Sequence, residues 1–306
     1  MLEHYYLRRP TQNDINNVLA LMIRCDQRDV GFPDSDLTDL KADWEGIDLS
    51  QDAWLAIDKH HVLQGYGAVL PWNTGKIIAV YDAPGAEDSD LFLSLTVLCE
   101  GRARFLLREA NDPEQQTLVA YISESVAHQK QVLTDAGYAV TKHLFNFHRD
   151  LDDDPPAPVW PAGVTLRTVK PGADDRALHT LIQDAFDKPG RTPQSFEDWH
   201  TFMMHPERFI PDLWFLLEKE GELIGCVLCF DYTDLGWVRQ LAVRADQRGA
   251  GLGRMLLQHA FHVFKERAYP KAGLAVDCDN TNALQLYTSV GLREVVHLNE
   301  FSKKIT

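Results

Sequence analysis

Positive charge is what this sequence is short of. Its 30 Lys and Arg stand against 45 Asp and Glu in 306 residues, a formal net charge of −15. A polyanion is held by a basic face that displaces counterions, so nucleic acid is excluded as a partner. The surplus acid instead favours a cationic acceptor such as an amine. Long apolar runs are missing as well. No uninterrupted stretch reaches the roughly 20 residues of a membrane-spanning helix, and the opening Met1–Pro10 segment lacks a signal peptide's apolar core and reads as a strand. Cysteine is scarce and odd in number, at positions 25, 99, 226, 229 and 278. Five thiols cannot all pair within one chain, which points to reduced cysteines in the cytoplasm. Cys226 and Cys229 have a metal-like spacing. They fall in a strand, however, where residues three apart face opposite ways, and no second pair exists. The 12 histidines form no HxxxH or HxH cluster, so no metal is expected.

What is present is organised in two parts. Apolar residues make up 45% of the chain, enough for folded cores, and the length suits two domains. Leu151–Gly163 carries Asp152, Asp153 and Asp154 followed by prolines at 155, 156, 158 and 161. That composition blocks helix and strand interior and keeps the segment solvated. The expected division is therefore residues 1–150, a linker over 151–163, and residues 164–306. The coarse pattern repeats across it. A first helix is predicted over Ile15–Arg28 and again over Arg176–Phe186. A hairpin follows, Ala53–Asp58 with Gly65–Pro71 and Leu213–Glu218 with Leu223–Phe230, and both parts end in a helix and a strand near Gly137 and Gly291.

The densest signal is Leu241–Leu257. An apolar strand ends at Val243, a polar turn follows, and Gly249, Gly251 and Gly253 lead into an amphipathic helix. Its buried side reads Met255, Leu256, Leu257, Ala260, Phe261, Val263 and Phe264. Glycine lets backbone amides turn through unusual dihedrals and approach a ligand closely. At a helix N-terminus the orphan donors and the macrodipole favour an anion. Arg248 and Arg254 flank the loop, so it is built for phosphate. A P-loop is excluded, because no Lys-Ser/Thr follows the glycines. A dinucleotide-binding GxGxxG loop fails on spacing, since the sixth positions are Arg254 and Leu256, and too little chain follows Asp277 for the strands it needs. The remaining reading is Arg248-x-x-Gly251-x-Gly253, an (Arg/Gln)-x-x-Gly-x-(Gly/Ala) loop for the pyrophosphate of coenzyme A.

Downstream comes a strand, Ala272–Cys278, and then Asn280-x-x-Ala283-x-x-Leu286-Tyr287-x-x-x-Gly291-Leu292. The two motifs in this order resemble the GNAT superfamily of N-acetyltransferases, from about residue 164 onward. The repeat across Leu151–Gly163 resembles the tandem-domain type to which the mycothiol synthases belong. This resemblance implies an α+β fold of two tandem GNAT-like domains, each a twisted, mostly antiparallel sheet flanked by helices. Two central strands would splay apart, and the pantetheine arm of acetyl-CoA, the co-substrate, would run beside the backbone of Leu241, Ala242 and Val243. The pyrophosphate would lie on Arg248, Gly249, Ala250, Gly251, Leu252, Gly253 and Arg254, with Asn280 at the coenzyme or at a helix start. Tyr287 would be the general acid that protonates the leaving thiolate. The first part carries Asp82-Ala-Pro-Gly-Ala-Glu-Asp-Ser-Asp90 at the loop position. Glu87, Asp88 and Asp90 would repel a pyrophosphate and Pro84 removes a donor, so residues 1–150 read as a degenerate copy with a structural or acceptor-site role.

The expected activity is transfer of an acyl group from acetyl-CoA to the amine of a small molecule, by direct attack of the amine on the thioester. The base is not assigned by sequence. Trp237, Arg239 and Gln240 occupy the strand positions where relatives place a carboxylate. Water held by Gln240, or Asp231, Asp234 or Glu197, could serve instead, and proximity alone supplies part of the rate. The segment Asp187–Phe209, with Glu197, Trp199 and His200, reads equally as acceptor pocket or as packed helical cap, and Gln240, Glu197 and Trp199 are the candidate substrate contacts. The missing carboxylate keeps open a second class of function, a non-catalytic acyl-CoA-binding sensor or assembly protein, against which Tyr287 argues. A homodimer is compatible with all of these features.

Overall fold

The computed structural model describes residues 4–72, 75–86, 90–111, 116–153, 155–188, 191–232 and 234–305. Glu87 and Asp88 of the acidic loop, Asp154 of the linker, and Pro189 and Gly190 of the variable segment lie outside them.

The chain forms two compact units, but these are not consecutive halves. Residues 1–144 and 296–306 make one, and residues 145–295 the other. The expected boundaries at 150 and 164 are thereby corrected: the Pro/Asp-rich segment lies inside the second unit, and each unit takes its last strand from the other part of the sequence.

The first unit contains β1 (Tyr5–Arg8), α1 (Ile15–Asp29), α2 (Leu37–Glu45), α3 (Leu49–Asp52), β2 (Ala53–Asp58), β3 (Leu63–Trp72), β4 (Gly75–Asp82), α4 (Leu91–Ala110), β5 (Thr117–Ser123), α5 (Ala127–Asp135) and the start of β6 (Ala139–Asp150). Strands β1 to β4 pair antiparallel in sequence order. Helix α1 turns Val18, Leu21 and Cys25 inward at 3–4 spacing, and α2 begins on an Asp36 side chain that accepts from Thr38 N. These helices cover one face of the sheet and α4 covers the other, with Leu91, Leu95, Cys99 and Ala103 fully buried.

The second unit contains the end of β6, then β7 (Val164–Thr168), α6 (Asp175–Ala185), α7 (Phe196–Met203), β8 (Trp214–Lys219), β9 (Glu222–Tyr232), β10 (Leu235–Val243), α8 (Leu252–Glu266), β11 (Lys271–Asp277), α9 (Thr281–Ser289) and the first residues of β12 (Arg293–Lys304). Its sheet runs β7-β8-β9-β10-β11 and continues to the end of β6. Helix α8 lays Leu256, Leu257, Ala260, Phe261 and Phe264 on one face, and α6 and α7 pack Leu178, Ile182, Trp199 and Met203 on the other. Cys226 lies in the second core and Cys229 in the first, so the two thiols do face opposite sides of β9, and burial pushes both up.

Both units open at the same place. Strand β10 is parallel to β11 only over Leu235–Val238, opposite Lys271–Leu274, yet continues to Val243. Strand β4 is parallel to β5 only over Gly75–Ile77 and continues to Asp82. The exchanged strand closes the first unit: Leu298–Lys304 of β12 pair antiparallel with Ser123–Thr117 of β5 and bury Phe301 in its core. These are twisted, largely antiparallel α+β sheets with helices on both faces. Among the described residues no helix is long and apolar enough to cross a membrane.

Candidate active site

Two elements meet at the opening of the second unit, the far end of β10 and the start of α8, and the end of α9 packs on the start of α8. Beyond Val238 the edge of β10 that faced β11 loses its ladder partner, which leaves the backbone of Leu241, Ala242 and Val243 able to pair with an extended ligand. A turn of 3-10 helix, Ala245–Gln247, leads from the strand to the glycine loop. Gly249 and Gly251 adopt φ of 84° and 77°, the left-handed region that costs an L side chain energy. Gly251 caps α8 without any side-chain acceptor, and the first helical bond runs from Met255 N to Gly251 O. The amides of Leu252, Gly253 and Arg254 are therefore unspent at the positive end of a 15-residue helix. Ala250 is exposed on the loop between the two turning glycines.

The flanking arginines are partly engaged. Arg248 Nε donates to Val243 O at 3.0 Å and its Nη2 to Ala185 O at 3.2 Å, tying the strand end to the end of α6. Arg254 donates to Ser289 O at 3.2 Å, which joins α8 to α9. Asn280 sits at the start of α9, where its side-chain oxygen accepts from Ala283 N at 3.2 Å. It is a helix cap, with its amide nitrogen still available.

Tyr287 lies on α9 against the core, its ring centroid 6.4 Å from that of Phe147. Its hydroxyl has no hydrogen-bond partner among the described residues, and burial pushes its pKa up to about 12. It is a protonated phenol with an unspent donor. Phe147 comes from β6, before the linker, and no sequence signal had placed it beside Tyr287.

On the other face of β10 the ladder to β9 shifts register between Val238 and Gln240. The extra residue turns both Arg239 and Gln240 toward α7. Trp199 Nε1 donates to Gln240 Oε1 at 3.1 Å. The Trp199 ring is fully buried, so it is core that holds Gln240 rather than pocket wall. Glu197 is exposed in the first turn of α7 and has no described partner; nothing brings it to Gln240. Asp231 takes the Tyr269 hydroxyl, and burial together with that bond holds the phenol's pKa up. Asp234 stands exposed in the turn before β10. Among the described residues no carboxylate is hydrogen-bonded to Gln240.

In the first unit the corresponding loop begins at Asp82. Its buried carboxylate is held by His128 at 3.1 Å, by Gln129 and by Arg28 at 3.5 Å. Helix α4 starts after Asp90 with no side-chain cap. An acid at that helix start is the wrong sign for a phosphate.

The second unit thus presents an uncapped helix start on a glycine turn, a strand with a free backbone edge and a buried phenol without a described hydrogen-bond partner. The sequence profile described as the acetyltransferase (GNAT) family matches residues 176–292. A mycothiol acetyltransferase of Tsukamurella paurometabola is 30% identical over 214 residues, 63% of this chain and 70% of that protein. One from Thermomonospora curvata is 33% identical over 194 residues, 62% of this chain and 65% of the relative. Among solved structures, a GCN5-related N-acetyltransferase from Sphaerobacter thermophilus superposes with a TM-score of 0.84, at 28% identity, over 99% of this chain and 96% of its own. A tandem GNAT protein of the clavulanic acid biosynthesis pathway shares the fold, with a TM-score of 0.73 at 16% identity. This chain belongs to the GNAT family of acetyltransferases. The matched region spans 53% to 70% of the length of four curated relatives named mycothiol acetyltransferase.

Proposed function

We propose that the second unit is an acetyl-CoA-dependent N-acetyltransferase acting on the amine of a small molecule, and that the first unit is a degenerate copy that does not bind the coenzyme. The observation that carries this is the uncapped start of α8 at Gly251 beside the free edge of β10. The amides of Leu252, Gly253 and Arg254, with Gly249, Ala250 and Arg248, would hold the pyrophosphate. Leu241–Val243 would pair with the pantetheine arm, and the Asn280 amide nitrogen is free to reach it. The bound thioester supplies an activated acyl group. The amine nitrogen forms the new C–N bond, the C–S bond breaks, and Tyr287 gives its proton to the sulfur, regaining one from the nitrogen by way of solvent. Gln240, fixed by Trp199, would orient the amine or a water beside it. The relatives named mycothiol acetyltransferase make a mycothiol-related amine one version of the acceptor. Five cysteines without a disulfide suit the cytoplasm.

Calorimetric titration of the purified chain with acetyl-CoA, and separately with NAD, tests this reading. One equivalent of acetyl-CoA and no NAD is the expected result. Two equivalents would overturn the degenerate role of the first unit, and no binding would sink the acetyltransferase altogether. Binding without turnover across an amine panel would favour the sensor.

For the partner we propose a second copy of the chain, seated on α4. Leu93, Val97 and Phe105 stay 38%, 60% and 52% exposed along one stripe of that helix, which also carries Gly101. Two such helices crossing antiparallel about a two-fold near residue 99 set Val97 into the notch at Gly101, Leu93 against Phe105 and Asp90 against Arg108. Sedimentation should show a dimer that Val97→Glu dissociates. Single reversal of Asp90 or Arg108 should weaken it and the double reversal restore it; a monomer at all concentrations, or a dimer indifferent to Val97→Glu, overturns the assignment.

A further inference from the structure

Arg239 lies in the middle of an interior strand, yet its side chain is exposed. The bulge in β10 places it on the same side as Gln240, facing α7, and it remains exposed. Its one described contact is the ring of Phe202, whose centroid lies 5.1 Å from the guanidinium carbon. A second guanidinium shares that ring: Arg208, 6% exposed, lies 4.9 Å from the same centroid. Two acids of the helices on that face are engaged locally. Asp198 takes the Ser195 hydroxyl at 2.7 Å, and Asp175 takes His200 at 3.1 Å. Two guanidinium groups thus converge on one aromatic ring, in a protein whose net charge is −15. The Arg239 fork has no described hydrogen-bond acceptor.

We propose that Arg239 is a specificity-determining residue that binds an anionic oxygen group, carboxylate or phosphate, carried by the acceptor amine. The inference rests on the acetyltransferase reading above and narrows it from any small amine to an amine that also bears an acid. A planar fork stacked on an aromatic ring is pre-organised for two parallel hydrogen bonds to such a group. The bulge is what aims it. Without the extra residue Arg239 and Gln240 would point to opposite faces of β10, and the anion site could not stand beside the group proposed to orient the amine. The acidic surface and this local cationic spot are compatible: the first attracts the ammonium of the acceptor, and the second reads its other end.

The test needs no turnover. The CoA-bound protein is titrated by calorimetry with a set of N-acetyl amino acids, each against its neutral primary amide, and with N-acetylethanolamine phosphate against N-acetylethanolamine. The wild type should bind members of one acidic series saturably, roughly 10–100-fold tighter than their neutral counterparts. Whichever series wins tells carboxylate from phosphate. Arg239→Gln should abolish that preference and Arg239→Lys should keep part of it, with CoA affinity unchanged in both. Equal affinity for acid and neutral members, no saturable binding of any of them, or a preference that survives Arg239→Gln overturns the proposal. Failure of CoA itself to bind would instead overturn the acetyltransferase reading, so the two outcomes are separable.

Discussion

Tyr287 can act as an acid only while it holds its proton, and its burial settles when that is. With its pKa pushed up to about 12, the phenol stays protonated through the working range. The rate should rise with pH as the acceptor amine loses its proton, and no falling limb from this residue should appear below about pH 10. Replacing Tyr287→Phe removes the one atom that matters and keeps the ring against Phe147. Turnover should drop about 100-fold or more while acetyl-CoA affinity holds. Steady-state rates with calorimetry check both halves of that statement, and an undiminished rate means the thiolate takes its proton from elsewhere. At this scale the sequence was informative about backbone chemistry and poor on side-chain direction. Gly249 and Gly251 could be read because glycine adopts their left-handed dihedrals without the cost an L side chain carries. The sequence leaves Trp199 between pocket lining and packed cap, because an aromatic in a polar segment suits both, and packing shows its ring inside and its N–H on Gln240.

Among the elements, periodicity located almost everything local. The first helix, read as Ile15–Arg28, runs Ile15–Asp29, and the repeat of it, read as Arg176–Phe186, runs Asp175–Ala185. Two features escaped. The bulge at Arg239 adds a single residue, and the alternation of Val238, Leu241 and Val243 on one face hides which neighbour is the extra one. The exchanged strands escaped because an alternating pattern says which residues are buried, never which sheet edge they are buried against. That exchange carries a prediction. Deleting residues 296–306 removes the partner of β5 and takes Phe301 and Ile305, both nearly fully buried, out of the first unit's core. Large apolar side chains are each worth about 2–5 kcal/mol in such a setting. The truncated chain should therefore unfold its first unit at markedly lower temperature. Amide exchange in Thr117–Ser123 is the direct readout, and unchanged protection there would mean that β12 contributes little to that sheet.

For the molecule as a whole, net charge proved a guide to what is excluded and a poor guide to the site. A formal −15 argues against polyanions, yet the second unit gathers Arg239 and Arg208 on one ring and sets Arg248 before the positive end of α8. Charge acts locally because salt screens it over about 8–10 Å, so a cluster of guanidinium groups sets the potential of its own cleft whatever the remainder of the surface does. The order in which the chain is made adds a constraint of a different kind. All but the last strand of the first unit's sheet has left the ribosome by Leu144, but Leu298–Lys304 must be translated before β5 gains its neighbour. Roughly 150 residues separate the two events, on the order of ten seconds or more of synthesis at about 5–20 residues per second. Through that interval the nascent chain carries an unpaired strand edge, the feature most prone to pairing with the wrong molecule. A slowly translated message or a crowded polysome would thus tax this protein's folding through the first unit, far from the residues that do its chemistry.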